Sequence, residues 1–134
     1  MALSAKDYFE TGDLAAAIQA QNDEVKRNPA DVARRGFLAE LLTFTGQLER
    51  ADKMLDVLDK QAPEAAVGSA AFRQLVRGEQ ARQQVFTEGR VPEFLGEPPP
   101  HLQLYLQSLV LLREGKPGEA TRVLAEAEEA RPKP

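Results

Sequence analysis

The feature that most constrains this chain is a spacing. Gly12 is followed by Ala17 and Pro29, Gly46 by Ala51 and Pro63, and Gly115 by Ala120 and Pro132, so one Gly-x4-Ala-x11-Pro frame occurs three times. Gly12 and Gly46 lie 34 residues apart; Gly46 and Gly115 lie 69 apart, two such periods plus one residue. A degenerate copy is therefore expected between the second and the third. Seven residues before each glycine stands a small residue, Ala5, Ala39 or Ser108, and four before it a large one, Tyr8, Leu42 or Leu111. The frame has departures: Gln21 stands where the other copies have Leu55 and Leu124, and Pro117 where they have Leu14 and Leu48.

A period of 34 is that of tetratricopeptide units, in which each repeat is one helical hairpin and neighbours stack sideways. The marks have physical roles in such a hairpin. Glycine ends the first helix, because the residue after the helix favours a left-handed backbone. Asp13 or Gln47 opens the second, with Asp13 the better cap. The alanines let paired helices approach closely, and proline ends the second helix. Leu38, Leu41 and Leu42, then Met54, Leu55 and Leu58, recur at helical spacing. The expectation is an all-α, tetratricopeptide-like solenoid of about seven helices, near 2–11, 13–27, 30–45, 47–60, 64–88, 101–114 and 117–130. The third repeat is irregular. Residues 65–88 read as one long helix with Gly78 as its candidate break. Gly89, Pro92, Gly96 and Pro98–Pro100 exclude a helix after it, and Phe94 and Leu95 are expected to tuck into the core under a single turn. A solenoid that loses register there either opens a groove or merely carries a worn repeat.

Composition narrows the chemistry. The 134 residues fit one domain, 1–134, and 43% of them are hydrophobic, enough for a core. Cysteine is absent, which removes disulfides, thiolate nucleophiles and sulfur-based zinc sites. A formal charge of −4 argues against a general nucleic-acid binder. No apolar run approaches the length of a membrane span, and the first residues lack the apolar stretch of a signal peptide, so a cytoplasmic protein is expected. There is no GxxxxGK[ST] phosphate loop. His101, after three prolines at a helix start, reads as solvated or cap-proximal rather than catalytic. Glu126, Glu128 and Glu129 have Lys116, Arg122, Arg131 and Lys133 nearby and read as a charge-paired face. No cofactor, no metal and no enzymatic activity are expected.

The stretch from Arg77 through Val85-Phe86 and Val91-Pro92-Glu93-Phe94-Leu95 to Pro99 resembles the middle of the ImpE/SciE/TagJ family. Gly12–Ala17 and Arg34–Ala51 resemble that family's N-terminal region, so the likeness spans essentially the whole chain. The repeat part is generic; the part from Val85 to Pro100 is more specific. The family comprises accessory components of bacterial type VI secretion systems. The resemblance implies a helical adaptor that binds the N-terminal helix of the small, TssB-like sheath subunit, with a link in some members to the ClpV-type AAA+ ATPase. Family members continue into a second domain with acidic and aromatic motifs, which would begin where this chain ends, at Arg131-Pro-Lys-Pro.

In a stacked solenoid the first helix of each pair lines the concave side. That side would carry Lys6, Phe9 and Glu10, then Ala33, Gly36, Glu40, Thr43 and Phe44, and finally Leu102, Tyr105, Leu109, Leu112 and Arg113. The last set is unusually apolar. Either a further domain covers it, or it is a groove for an amphipathic helix. An alternative surface runs along Phe72, Val76 and Arg77. Arg73, Arg77 and Arg82 on the long helix, and Lys26, Arg27, Arg34 and Arg35 earlier, have two open readings. They form a strip that orients an acidic partner, or they pair internally with Glu40, Glu79 and Glu88. Rival function classes are a generic tetratricopeptide peptide-binding scaffold, whose carboxylate clamp is missing because Gly36, Glu40 and Thr43 hold the matching positions, and a dimerisation module built on the last repeat.

Overall fold

The computed structural model describes residues 2–134. It contains α1 (Ala5–Glu10), α2 (Leu14–Arg27), α3 (Val32–Phe44), α4 (Leu48–Gln61), a 3-10 turn over Pro63–Ala65, α5 (Ala66–Thr87), α6 (Pro100–Arg113) and α7 (Pro117–Ala130). No strand occurs among the described residues. The chain divides into two compact units, Met1–Gln80 and Ala81–Pro134.

The three frame copies make the same turn. Gly12, Gly46 and Gly115 have φ of +83°, +75° and +72°. In each turn the residue after the glycine donates its N–H to the carbonyl of the large residue four before it: Asp13 to Tyr8, Gln47 to Leu42 and Lys116 to Leu111, all at 2.9 Å. This reversed bond satisfies carbonyls that the helix end would otherwise leave orphaned. The second helix then folds back on the first, and α1 with α2, α3 with α4 and α6 with α7 form the three hairpins. Their backbones come close because the facing residues are small. Ala5, Ala17, Ala39, Ala51, Ser108 and Ala120 are all at most 4% exposed.

Capping also follows the sequence. The Asp13 carboxylate accepts from Ala16 N–H at 3.0 Å, whereas Gln47 makes no cap bond to α4. Asp13→Ala should therefore destabilise by about 1 kcal/mol, and Gln47→Asp should stabilise by about 0.5–1 kcal/mol. Paired thermal melts check both signs. At α1 the helix begins later than residue 2, because Ser4 and Asp7 form a reciprocal capping box: Ser4 N–H donates to the Asp7 carboxylate at 2.8 Å, and Ser4 Oγ accepts from Asp7 N–H at 3.2 Å.

The first unit buries its core in two clusters. Ala17, Ile18 and Val25 of α2 meet Leu38, Leu41 and Leu42 of α3 and Ala51 of α4, with Tyr8, Leu14, Phe37 and Met54 packed at the edge. A second cluster joins Ala39, Leu48 and Leu55 to Val76 of α5, flanked by Met54 and Phe72. Each large side chain fully buried here contributes roughly 1.5–3 kcal/mol.

The degenerate copy lies where the frame expects it. Val76 and Phe72 stand 34 residues after Leu42 and Leu38 and likewise face the core. The small position, however, is Arg73, and the glycine position is Gln80. With no residue suited to a left-handed turn, α5 runs on to Thr87, unbroken at Gly78, and ends at Gly89 with φ +79°. The hairpin's second helix is lost. The residues after it do not behave as expected. Phe94 is 38% exposed and Leu95 fully exposed, so neither tucks into the core. Pro92 and Pro98–Pro99 keep helix out of the segment, which has only a bend at Leu95–Gly96, and so deny it the helical turn that would have carried the two side chains inward. Its ends are tied: Gln103 Nε2 donates to Pro98 O at 2.9 Å, and Arg113 Nη1 donates to Val85 O at 2.9 Å.

Candidate docking surfaces

In the first unit, α1 and α3 present to water most of the positions assigned to the concave side. Lys6, Phe9, Glu10, Ala33, Glu40 and Phe44 are exposed, while Gly36 and Thr43 are half-buried. Phe9 and Phe44 come together with ring centroids 5.7 Å apart, and Phe37 meets Phe9 edge-on at 6.2 Å. The candidates on α5 divide differently. Val76 is buried at 1% exposure and Phe72 is half-buried beside it, so of the alternative surface through Phe72, Val76 and Arg77 only Arg77 stands largely in water. The reason is the repeat register itself, which places both side chains where Leu42 and Leu38 lie one repeat earlier.

Arg73 is likewise turned inward. Its Nε donates to Asp52 Oδ1 at 3.0 Å, and its Nη1 reaches Asp56 Oδ1 at 3.2 Å and Asp59 Oδ2 at 3.1 Å. The three carboxylates lie on one face of α4 at helical spacing. The Arg73 guanidinium hydrogen-bonded to Asp52 holds that carboxyl below the usual carboxylate range, and the guanidinium's own pKa is raised, first by its bond to Asp52. Of the two open readings, internal pairing is the one Arg73 follows, with Asp52, Asp56 and Asp59 in place of Glu40, Glu79 and Glu88. Arg77 stays half exposed, 3.5 Å from Asp52. The earlier basic group is also engaged: Lys26 with Asp23, Arg27 with Glu24, Arg34 with Glu24 and Asp31, and Arg35 with Gln61 and the Pro29 carbonyl.

In the second unit the residues fully buried are all small: Ser108, Ala120 and Ala127. Leu102, Tyr105 and Leu109 of α6 are half-buried, and Leu112 is 49% exposed. Spaced at i, i+3, i+7 and i+10, they share one side of the helix. The Tyr105 hydroxyl donates to the Glu128 carboxylate of α7, and that bond raises the Tyr105 pKa. Tyr105 therefore ties the hairpin as well as lining the stripe. His101 sits in the first turn of α6 with its ring 6.3 Å from Tyr105, and Arg131 pairs with Glu128 at 3.3 Å.

An open depression of about 850 Å3 lies between the start of α1, the outer side of α2 and the start of α3, lined among others by Tyr8, Gln19, Asp23, Arg27, Arg34 and Phe37. Its charged groups are matched to one another, Arg34 and Arg27 both pairing with Glu24. Among the described residues no group of three or more His, Asp or Glu side chains is placed to hold a metal ion, and no helix is long and apolar enough to cross a membrane.

Stacked helical hairpins in this register define a tetratricopeptide-type protein, and the tetratricopeptide repeat family matches residues 8–73. The chain is 32% identical over 126 residues, 94% of its length, to the type VI secretion system accessory component TagJ of Pseudomonas aeruginosa. The likeness to the ImpE/SciE/TagJ family seen in the sequence is thus a real relationship, and the chain is a TagJ homologue. The crystal structure of protein VPA1032 from Vibrio parahaemolyticus superposes over 96% of this chain with a TM-score of 0.85 at 26% identity. The chain spans 44% of TagJ and 48% of the VPA1032 chain, about half of each relative.

Proposed function

We propose that this chain is a non-catalytic, cytoplasmic adaptor of a bacterial type VI secretion system. On this reading it binds an amphipathic helix at the N-terminus of the TssB-like small sheath subunit and links the sheath to the ClpV-type ATPase. Homology to an accessory component supports the setting. The observation that carries the docking mode is the α6 stripe of Leu102, Tyr105, Leu109 and Leu112. It lies in a unit whose fully buried residues are small, so its leucines keep apolar area open for a partner. A helix laid on it would seat residues at i, i+3, i+4 and i+7 between these side chains. Charge would set approach and register more than strength.

The test is a titration of the sheath subunit's N-terminal helix peptide against the full chain and its L109A/L112A variant. Binding should weaken by about tenfold or more, some 1.4 kcal/mol per decade, with helicity by circular dichroism unchanged. Equal affinity in the variant removes the stripe from the site, and no binding to either chain removes the sheath helix as partner.

A further inference from the structure

We propose that the segment between α5 and α6 is a processing site, at which an endopeptidase with an apolar primary pocket hydrolyses the chain after Phe94 or Leu95. A protease cleft takes its substrate much as a sheet takes an added strand. It needs main-chain groups free to bond and a side chain free to fill its pocket. Residues 91–97 meet both needs. None of their backbone N–H or carbonyl groups bonds to another backbone group among the described residues. They form neither helix nor strand, and the chain bends at Leu95 and Gly96. Leu95 is fully exposed, with Phe94 beside it at 38%. Exposure alone does not single out this segment, because Phe44 at 65% and Leu75 at 73% stand further into water than Phe94. Those two lie in α3 and α5, where helical bonds must open before a protease can bind the backbone.

The two ends of the segment set the class of enzyme. Arg90 is the basic residue beside it, but its N–H donates to Gln84 O at 3.2 Å and its Nη1 to Gln84 Oε1 at 2.8 Å. Backbone and side chain of Arg90 are thus both held against the end of α5, away from a pocket that reads cations. At the other end Gln103 Nε2 holds Pro98 O at 2.9 Å. Pro98 directly follows Glu97, and its missing N–H and fixed ring obstruct a cut after that acid. The free stretch therefore offers its apolar centre. Hydrolysis there consumes one water. For the bond after Leu95, the C–N bond breaks, the Leu95 carbonyl carbon gains the hydroxyl, and the Gly96 nitrogen gains the proton. The cut falls inside the second unit, Ala81–Pro134. It frees the hairpin of α6 and α7 from its covalent tether to the helices before it. This goes beyond the adaptor reading and does not depend on what the α6 stripe binds.

The experiment is limited proteolysis of the full chain with chymotrypsin and, separately, with trypsin, the fragments being identified by intact mass. A free peptide of residues 87–100 is digested alongside, so that each rate on the folded chain is divided by the rate at the same bond without the fold. Chymotrypsin should cut first after Phe94 or Leu95, at a rate within about tenfold of the peptide's. The trypsin cut after Arg90 should be slowed relative to its peptide by about tenfold more than that. F94S/L95S should slow the first chymotryptic cut by about tenfold or more. Both side chains are exposed, so the variant keeps the fold, which circular dichroism verifies. A first chymotryptic cut inside a helix overturns the proposal. So does indifference of the cut to F94S/L95S. Equal slowing of trypsin and chymotrypsin overturns it too, because the segment would then be an open loop without preference for an apolar pocket.

Discussion

Ala51→Leu should lower stability by about 1–3 kcal/mol, the usual cost of forcing extra methylenes into a packed interior. Ala51 is wholly inaccessible, faces the hairpin's first helix, and belongs to the larger of the two core clusters. A leucine there has no space to enter unless α3 and α4 separate, and their separation would also disturb the Gln47 to Leu42 bond that closes the turn. In a unit of this size each kcal/mol moves the midpoint by roughly 4–8 °C. A melt that does not move would mean the alanine does not set the helix spacing, and the repeat register would lose its physical basis.

Arg73→Met should cost about 2–3 kcal/mol near neutral pH. It removes charge-assisted bonds to Asp52 and Asp59, both three-quarters shielded from water, and leaves those carboxylates without their counterion. The pH dependence supplies the sign. The Asp52 carboxyl is held below its ordinary range in the folded protein, first by the Arg73 hydrogen bond. The stability that this confers is therefore present above the ordinary carboxylate pKa and lost as pH falls through the lowered one. The variant lacks that contribution from the start, so the gap between the two proteins should be widest near neutrality and narrow on the acid side. Urea titrations at several pH values test this. A gap independent of pH would show that Arg73 acts through its alkyl chain alone.

The hairpins were legible in the sequence because their determinants are local. A glycine, a small residue seven before it and another five after it are enough to make a turn and a close approach, whatever surrounds them. The cap at Asp13 followed for the same reason, while Gln47 occupies the cap position of α4 without bonding to it. What was not legible depended on residues far apart. The carboxylates that hold Arg73 lie 14 to 21 positions earlier, and their convergence requires α5 to occupy the place of a third first helix. The same offset of 34 that named the repeats would have shown Val76 and Phe72 as core, had it been applied to α5 despite its missing glycine. Phe94 and Leu95 failed differently: hydrophobicity argued for burial, but the surrounding prolines fix the backbone and win. The pairing of Phe9 with Phe44 was half visible, since both were assigned to the concave side. Their contact needed coordinates.

The close helix contacts have one more consequence. Each hairpin is specified by what its contact positions lack rather than by what fills them, because Ala5, Ala39 and Ser108 share only shortness. Tyr8, Leu42 and Leu111 serve the same turn through a backbone carbonyl, to which the side chain is indifferent. Related chains can therefore drift widely in their bulky residues while keeping the architecture, which suits a close superposition at modest identity. Kinship in such proteins is written in the gaps between side chains.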